Sequence, residues 1–131
     1  MANTLTKRVL AQTGKRYAFF LTLVSDGTEE TTTVLADLST FQGPPTKCSI
    51  RKLAYAGSVN AAATIALLWD HTTDDLAWQF EGPSNLTEFC FECGNGLIDP
   101  GSAGGTGDLV VTTTGLDATD TINLYVELEL F

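Results

Sequence analysis

Beyond residue 52 the chain has no lysine and no arginine. All seven basic residues (Lys7, Arg8, Lys15, Arg16, Lys47, Arg51 and Lys52) come before that point, against Asp26, Glu29, Glu30 and Asp37, a local net of +3. The remaining 79 residues carry twelve carboxylates and a net of −12. A body of that sign repels phosphate, which argues against nucleic acid and anionic membrane as direct partners. Lys7, Arg8, Lys15 and Arg16 are too few to reverse the repulsion. They are expected as assembly contacts that meet something acidic, and the obvious acidic surface is another copy of the same body.

Other scarcities narrow the field. A single histidine, His71, removes Ser–His–Asp and most acid–base schemes, and its polar surroundings predict a solvated loop residue. Three cysteines, an odd number, argue against a disulfide framework. The apolar runs at residues 17–21 and 65–69 fall far short of the roughly 20 residues a membrane helix needs. The basic N-terminus is not followed by an apolar stretch of signal-peptide length. These features predict a protein that works where it is made or is packaged from there, which leaves the sequon Asn85-Leu86-Thr87 without meaning.

What the chain does have is a hydrophobic period of two. At the C-terminus Ile122, Leu124, Val126, Leu128 and Leu130 alternate with Thr121, Asn123, Tyr125, Glu127 and Glu129, the pattern of a half-buried strand. Leu76, Trp78 and Phe80 alternate likewise, opposite Ile65, Leu67 and Trp69, with Asp70-His71-Thr72-Thr73-Asp74 as the hairpin loop. Further strands are predicted near residues 16–24, 31–38, 46–55, 88–92 and 109–114, rich in Thr, Val, Phe and Tyr. Gly- and Pro-containing breakers separate them at 25–27, 42–45, 82–85, 94–107 and 115–120. About eight short strands predict an all-β fold, a single antiparallel β-sandwich of jelly-roll type over residues 16–131. Residues 1–15 lack strand alternation and are expected as an extended basic arm, disordered alone and ordered on a neighbour.

Few constellations carry chemistry. Cys90-Phe91-Glu92-Cys93 is a CxxC that Cys48 and His71 would complete as a Cys₃His zinc set. In a strand, however, positions i and i+3 face opposite ways, so small apolar cysteines are the stronger expectation. The glycine-rich stretch 99–108 has aspartates where a phosphate loop would have a lysine, and a strand follows it. Asp70, Asp74, Asp75, Asp99 and Asp108 offer hard oxygens for calcium but match no EF-hand, and are expected as solvated turn residues. Trp69 and Trp78 would suit a sugar-stacking platform, but both share the phase of Leu76 and Phe80, the face expected to be core. No cofactor and no catalytic residue is expected.

Four segments carry a resemblance: DLSTFQGP (37–44), IRKLAYAG (50–57), IALLWDHTTDDLAWQF (65–80) and GNGLIDPGSAGGTGDLVVTTTG (94–115). With the closing DTINLYVELEL (120–130), the chain resembles a family of small all-β virion structural proteins of tailed bacteriophages. The most specific element is the order of a W-D-x-T-T-D-D hairpin, a G-G-T-G-D loop and a final alternating strand. One departure is Gly82-Pro83-Ser84, where the family often has Gly-Asn-Gly after the second hairpin strand. The resemblance implies no catalytic residues. It implies a capsid decoration or cement subunit, partnered by the major capsid protein and by copies of itself as a trimer. A head–tail, tail or fibre component that binds carbohydrate on a host surface is the alternative.

Overall fold

The computed structural model describes residues 3–13, 15–41, 45, 48–91, 96–100 and 104–131. Ten strands occur among them: β1 (Thr4–Gln12), β2 (Arg16–Asp26), β3 (Thr33–Ala36), β4 (Cys48–Ser58), β5 (Thr64–Trp69), β6 (Asp75–Glu81), β7 (Ser84–Cys90), β8 (Leu97–Ile98), β9 (Leu109–Thr114) and β10 (Ala118–Leu130). One sheet has the order β1-β2-β10-β4-β7, with β8 also beside β4; the other has the order β3-β9-β5-β6. Every pairing is antiparallel. Set β1 and β8 aside, and the chain changes sheet at every connection except the β5–β6 hairpin. That is the winding of an eight-stranded jelly roll.

The alternation read along β10 is the alternation observed. Ile122, Leu124, Val126, Leu128 and Leu130 are buried, because β10 lies at the centre of its sheet between β2 and β4 and its inner face meets the second sheet. Phe19, Leu21 and Leu23 of β2, Leu35 of β3, Ile65, Leu67 and Trp69 of β5, and Leu109 and Val111 of β9 complete the same core. On the outer face, Glu127 pairs with Arg16 and Glu129 with Arg51, ion pairs that join β10 to both neighbours. Tyr55 turns back over Gly57, its ring stacked on Phe80 at 4.7 Å and its hydroxyl donating to the Gly82 carbonyl at 2.8 Å. A Cβ on residue 57 would collide with that hydroxyl, so only glycine fits.

Three expectations are corrected here. The segment expected as an arm does not stand off a domain that begins at 16: within it Thr4–Gln12 is an edge strand paired to β2 from Thr4↔Val24 to Gln12↔Tyr17, while residues 1, 2 and 14 lie outside the described residues. It shows no alternation because an edge strand held by main-chain bonds is exposed on both faces; only Leu5 packs on the core. The second correction is one of phase. β6 carries a bulge between the pairs Leu67↔Trp78 and Leu68↔Leu76, so Leu76 leaves the face it was assigned to share with Trp78 and Phe80 and is 57% exposed. The same bulge turns Asp75 inward, opposite the buried Trp69. The third lies at residues 82–85, expected as a loop: β7 already begins at Ser84, because Gly82 at φ +67° makes the turn by itself.

A similar device operates in β4. Cys48 and Ile50 face inward, and so do Leu53 and Tyr55, with the register broken between Glu127 and Leu128 on the partner strand. Two outward residues, Arg51 and Lys52, absorb the odd count. No helix among the described residues is long and apolar enough to cross a membrane.

Candidate functional site

Strand directions bring the end of β1, the start of β2, the β5–β6 loop, the start of β4 and the described residues between 97 and 108 to one end of the sandwich. There the residues of the WDHTTDD hairpin and the GGTGD loop interlock. The Asp70 amide donates to the Asp108 carbonyl at 3.1 Å, and the Thr106 amide donates back to the Asp70 carbonyl at 3.1 Å. The Thr106 hydroxyl adds a bond to Asp70 Oδ2 at 2.8 Å. Gly104, at φ +75°, lies so close to Thr72 that a Cβ would strike its hydroxyl. Asp108 Oδ1 reaches across to accept the Leu38 amide at 2.9 Å, tying in the turn after β3.

His71 is the centre of this knot. It was expected in solvent; its side chain is instead fully shielded, with Nδ1 at 2.6 Å from Asp75 Oδ2 and Nε2 at 2.6 Å from Asp99 Oδ1. The inward turn of Asp75 at the β6 bulge makes the first contact, and the chain after β8 brings Asp99 for the second. Burial pulls the imidazole pKa down, but the hydrogen bond to Asp75, the charge and hydrogen bond of Asp99, and the charge of Asp75 outweigh it, leaving the pKa raised. The protonated ring donates from both nitrogens, one to each carboxylate. With no exposed ring atom it cannot reach a substrate; it clamps two loops.

The aspartates expected as solvated turn residues are pins of the same knot. Asp74 Oδ1 accepts the His71 amide at 3.0 Å, while Asp75, Asp99, Asp70 and Asp108 are engaged as above. Burial, foremost, raises the Asp108 pKa; nearby Asp37 and Asp70 add to it, and the bonds from Leu38 and Thr106 oppose it. No group of three His, Cys, Asp or Glu among the described residues is arranged to hold a metal ion.

The Cys48, His71, Cys90 and Cys93 set is not brought together. Cys48 is fully buried and donates towards the Gly107 carbonyl at 3.6 Å. Burial, then the charges of Asp99 and Asp108, push its thiol up to about 12. Cys90 is exposed on β7 opposite Lys52, four positions along β4 from Cys48, about 13 Å away. Both ring nitrogens of His71 are occupied, and Cys93 lies outside the described residues.

Of the four cations assigned to assembly, two serve the protomer itself. Lys7 bends inward to donate to the Leu35 carbonyl at 2.8 Å, its ammonium 5.4 Å from the ring centroids of Tyr17 and Phe19. Arg16 pairs with Glu127 at 2.5 Å. Arg8 and Lys15 are exposed and make no side-chain ion pair among the described residues. Trp69 is core at 2% exposure, as its phase predicts. Trp78 is only half-buried, at the seam where β6 and β7 meet, packed against Phe89 at 4.8 Å and Phe91 at 5.3 Å. A cavity of about 270 Å³ opens there, lined by Trp78, Gln79, Glu81, Ser84, Thr87 and Phe89 among others. Sequence reasoning missed this seam. The Phe89/Phe91 repeat was its one local signal, and nothing local linked it to Trp78.

No protein-family model matches the chain, and no curated protein matches it. Among solved structures it is similar to one described as "CBM4 structure and function", with a TM-score of 0.33 and 9% identity over 97% of this chain and 94% of that one. A likeness of that degree bears on neither connectivity nor function.

Proposed function

We propose that the protein is a non-enzymatic structural subunit of a phage virion, a decoration or cement protein bound to the major capsid protein and to copies of itself. One observation carries the reading. The two sequence elements most specific to the phage resemblance, the WDHTTDD hairpin and the GGTGD loop, are the two halves of one load-sharing knot. Their polar groups are spent on holding loops together, as befits a protein whose product is a rigid surface. Many copies making modest contacts gain avidity without any single strong site, and the acidic body keeps free copies apart and faces solvent rather than packaged DNA.

Co-sedimentation with empty capsid shells of the parent phage, at low and high salt, tests this. Saturable binding is expected, with a copy number commensurate with the local three-folds of the shell and weaker binding at high salt. Shells that pellet without the protein would remove the decoration role.

The half-buried Trp78 favours a second reading, a tail or fibre subunit that binds carbohydrate. An aromatic face beside Gln79, Glu81, Ser84 and Thr87 offers stacking and hydrogen bonds together. In that case a glycan array shows binding that Trp78→Ala abolishes; an array with no signal from the parent protein rejects it.

A further inference from the structure

Apart from the two-residue β8, four strands have an edge that meets no further strand among the described residues: β1 and β7 in the first sheet, β3 and β6 in the second. An open edge is a template for another strand, and three of these four are guarded. β1 has a register break between Val9 and Ala11 and turns Lys7 inward; β3 is four residues long and irregular between Val34 and Ala36; β6 carries the bulge. β7 has no such device. From Tyr55↔Thr87 to Lys52↔Cys90 it pairs with β4 without a break, and Ser84–Cys90 contains neither lysine nor proline.

The open side of β7 has main-chain groups to offer. The Phe91 amide donates to the Arg51 carbonyl at 2.8 Å, so Phe91 faces β4. Main-chain groups alternate in direction along an extended strand, which turns Phe89 and Thr87 to β4 as well and leaves the N–H and C=O of Glu88 and Cys90 at the open edge. A cavity lies on each side of the strand. On the outer face of the first sheet, one of about 530 Å³ is walled by Glu88, Cys90, Lys52, Ala54 and Tyr125. On the inner side is the seam of Trp78, about 270 Å³, lined from β7 by Thr87 and Phe89.

We propose that β7 takes an extended segment of a partner protein as an added strand. Its main chain bonds to Glu88 and Cys90, one apolar side chain sits against Trp78 and Phe89, and the alternate, longer side chains lie over Glu88 towards Tyr125. Successive side chains of a strand point to opposite faces, so an extended chain fills both cavities while it satisfies the edge, which neither a sugar nor a globular surface does. Glu81 and Glu88 stand at the two cavities against the single cation Lys52. Neither makes an ion pair among the described residues; Glu81 accepts only the Gln79 side-chain amide, at 2.9 Å. The segment is therefore basic as well as apolar. A second β7 would bring a second Glu81 and Glu88 to the same seam, which disfavours another copy as the occupant. The inference goes beyond the assembly reading in naming a surface and the segment that fits it, and its test needs no shell.

The probe is a peptide Lys-Val-Lys-Phe-Lys-Val-Lys, blocked at both ends, titrated into the full chain at about 0.15 M salt. The readout is tryptophan emission: Trp69 is 2% exposed and the peptide has no tryptophan, so a change reports on Trp78. A saturable blue shift is expected, and a scramble of the same composition is expected to bind about tenfold more weakly, because it loses the alternation. Methylating the peptide's main-chain nitrogens on one alternate set is expected to abolish binding, while methylating the other set leaves it within about threefold, since an added strand bonds through one edge. On the protein, Glu88→Pro removes an edge donor without touching the β4 ladder and is expected to weaken binding about tenfold or more; Glu88→Gln, which removes only the charge, is expected to cost under about threefold. Circular dichroism checks the fold of Glu88→Pro, and the methylated peptides carry the test should that variant unfold. No change in emission, equal binding by the scramble, or equal effects of the two methylated sets would each overturn the proposal. So would parental self-association that Glu88→Pro breaks, which would give the edge to a second copy. Glycan binding that Trp78→Ala abolishes and Glu88→Pro leaves intact would overturn it in favour of the carbohydrate reading. Shell binding can succeed or fail independently of all of these.

Discussion

Leu124→Asp is expected to leave no folded protein. Leu124 is wholly buried at the middle of β10, opposite Leu21 on one side and Tyr55 on the other, under the second sheet. Removing the leucine from such a position costs about 2–5 kcal/mol. Burying a carboxylate without a partner adds several kcal/mol more. The sum approaches or exceeds the roughly 5–15 kcal/mol that a domain of this size has in total. Two controls separate burial from the mere act of substitution. Leu124→Met is expected to cost under about 1.5 kcal/mol. Asn123→Asp, one residue away on the outer face, is expected to remain folded. A soluble L124D protein with a cooperative melt near that of the parent would mean that the inner face of β10 is wrongly assigned.

His71→Ala is expected to lower stability by about 3–5 kcal/mol, the usual cost of removing one partner from a buried pair. The Asp99 side chain, 5% exposed, would lose the cation that its position requires, whereas Asp75, at 37%, can turn to water. The effect has a pH signature. The folded imidazole pKa is raised above its ordinary value of about 6.5, so the stabilisation is fully present below that value and is lost as pH rises through the folded pKa. Urea unfolding of the parent and of H71A at about pH 6 and about pH 9 is the measurement. The gap between them is expected to be wide at the lower pH and narrow at the higher. A gap that widens with pH would mean that the ring is held neutral and the clamp is of another kind.

Most of the frame was legible because strands announce themselves one at a time. The β10 alternation, the 65–80 hairpin and the burial of Trp69 each follow from a period of two within a single element, and the structure keeps them all. The reading went wrong where one residue was inserted into that period. At β6 an unpaired position shifts everything before it to the opposite face, so Leu76 became surface and Asp75 turned towards His71. Nothing in DLAWQFE marks the shift. The N-terminal strand was missed for a different reason: held at an edge by main-chain bonds, it has no need of an apolar face.

The sequence by itself determined the class of fold, the central strand, the scarcity of catalytic groups and the separation of charge along the chain. Those depend on residue type and local spacing, which a linear string contains in full. Only the tertiary structure decided what the lone histidine is for and where the charges and aliphatics end up. Asp99 lies 28 positions from His71, and Val34 lies 76 positions from Val110. Such pairs meet because the chain crosses between sheets at nearly every turn. A contact made by that winding depends on the register of strands between the two residues, and register is set by the packing of the whole molecule.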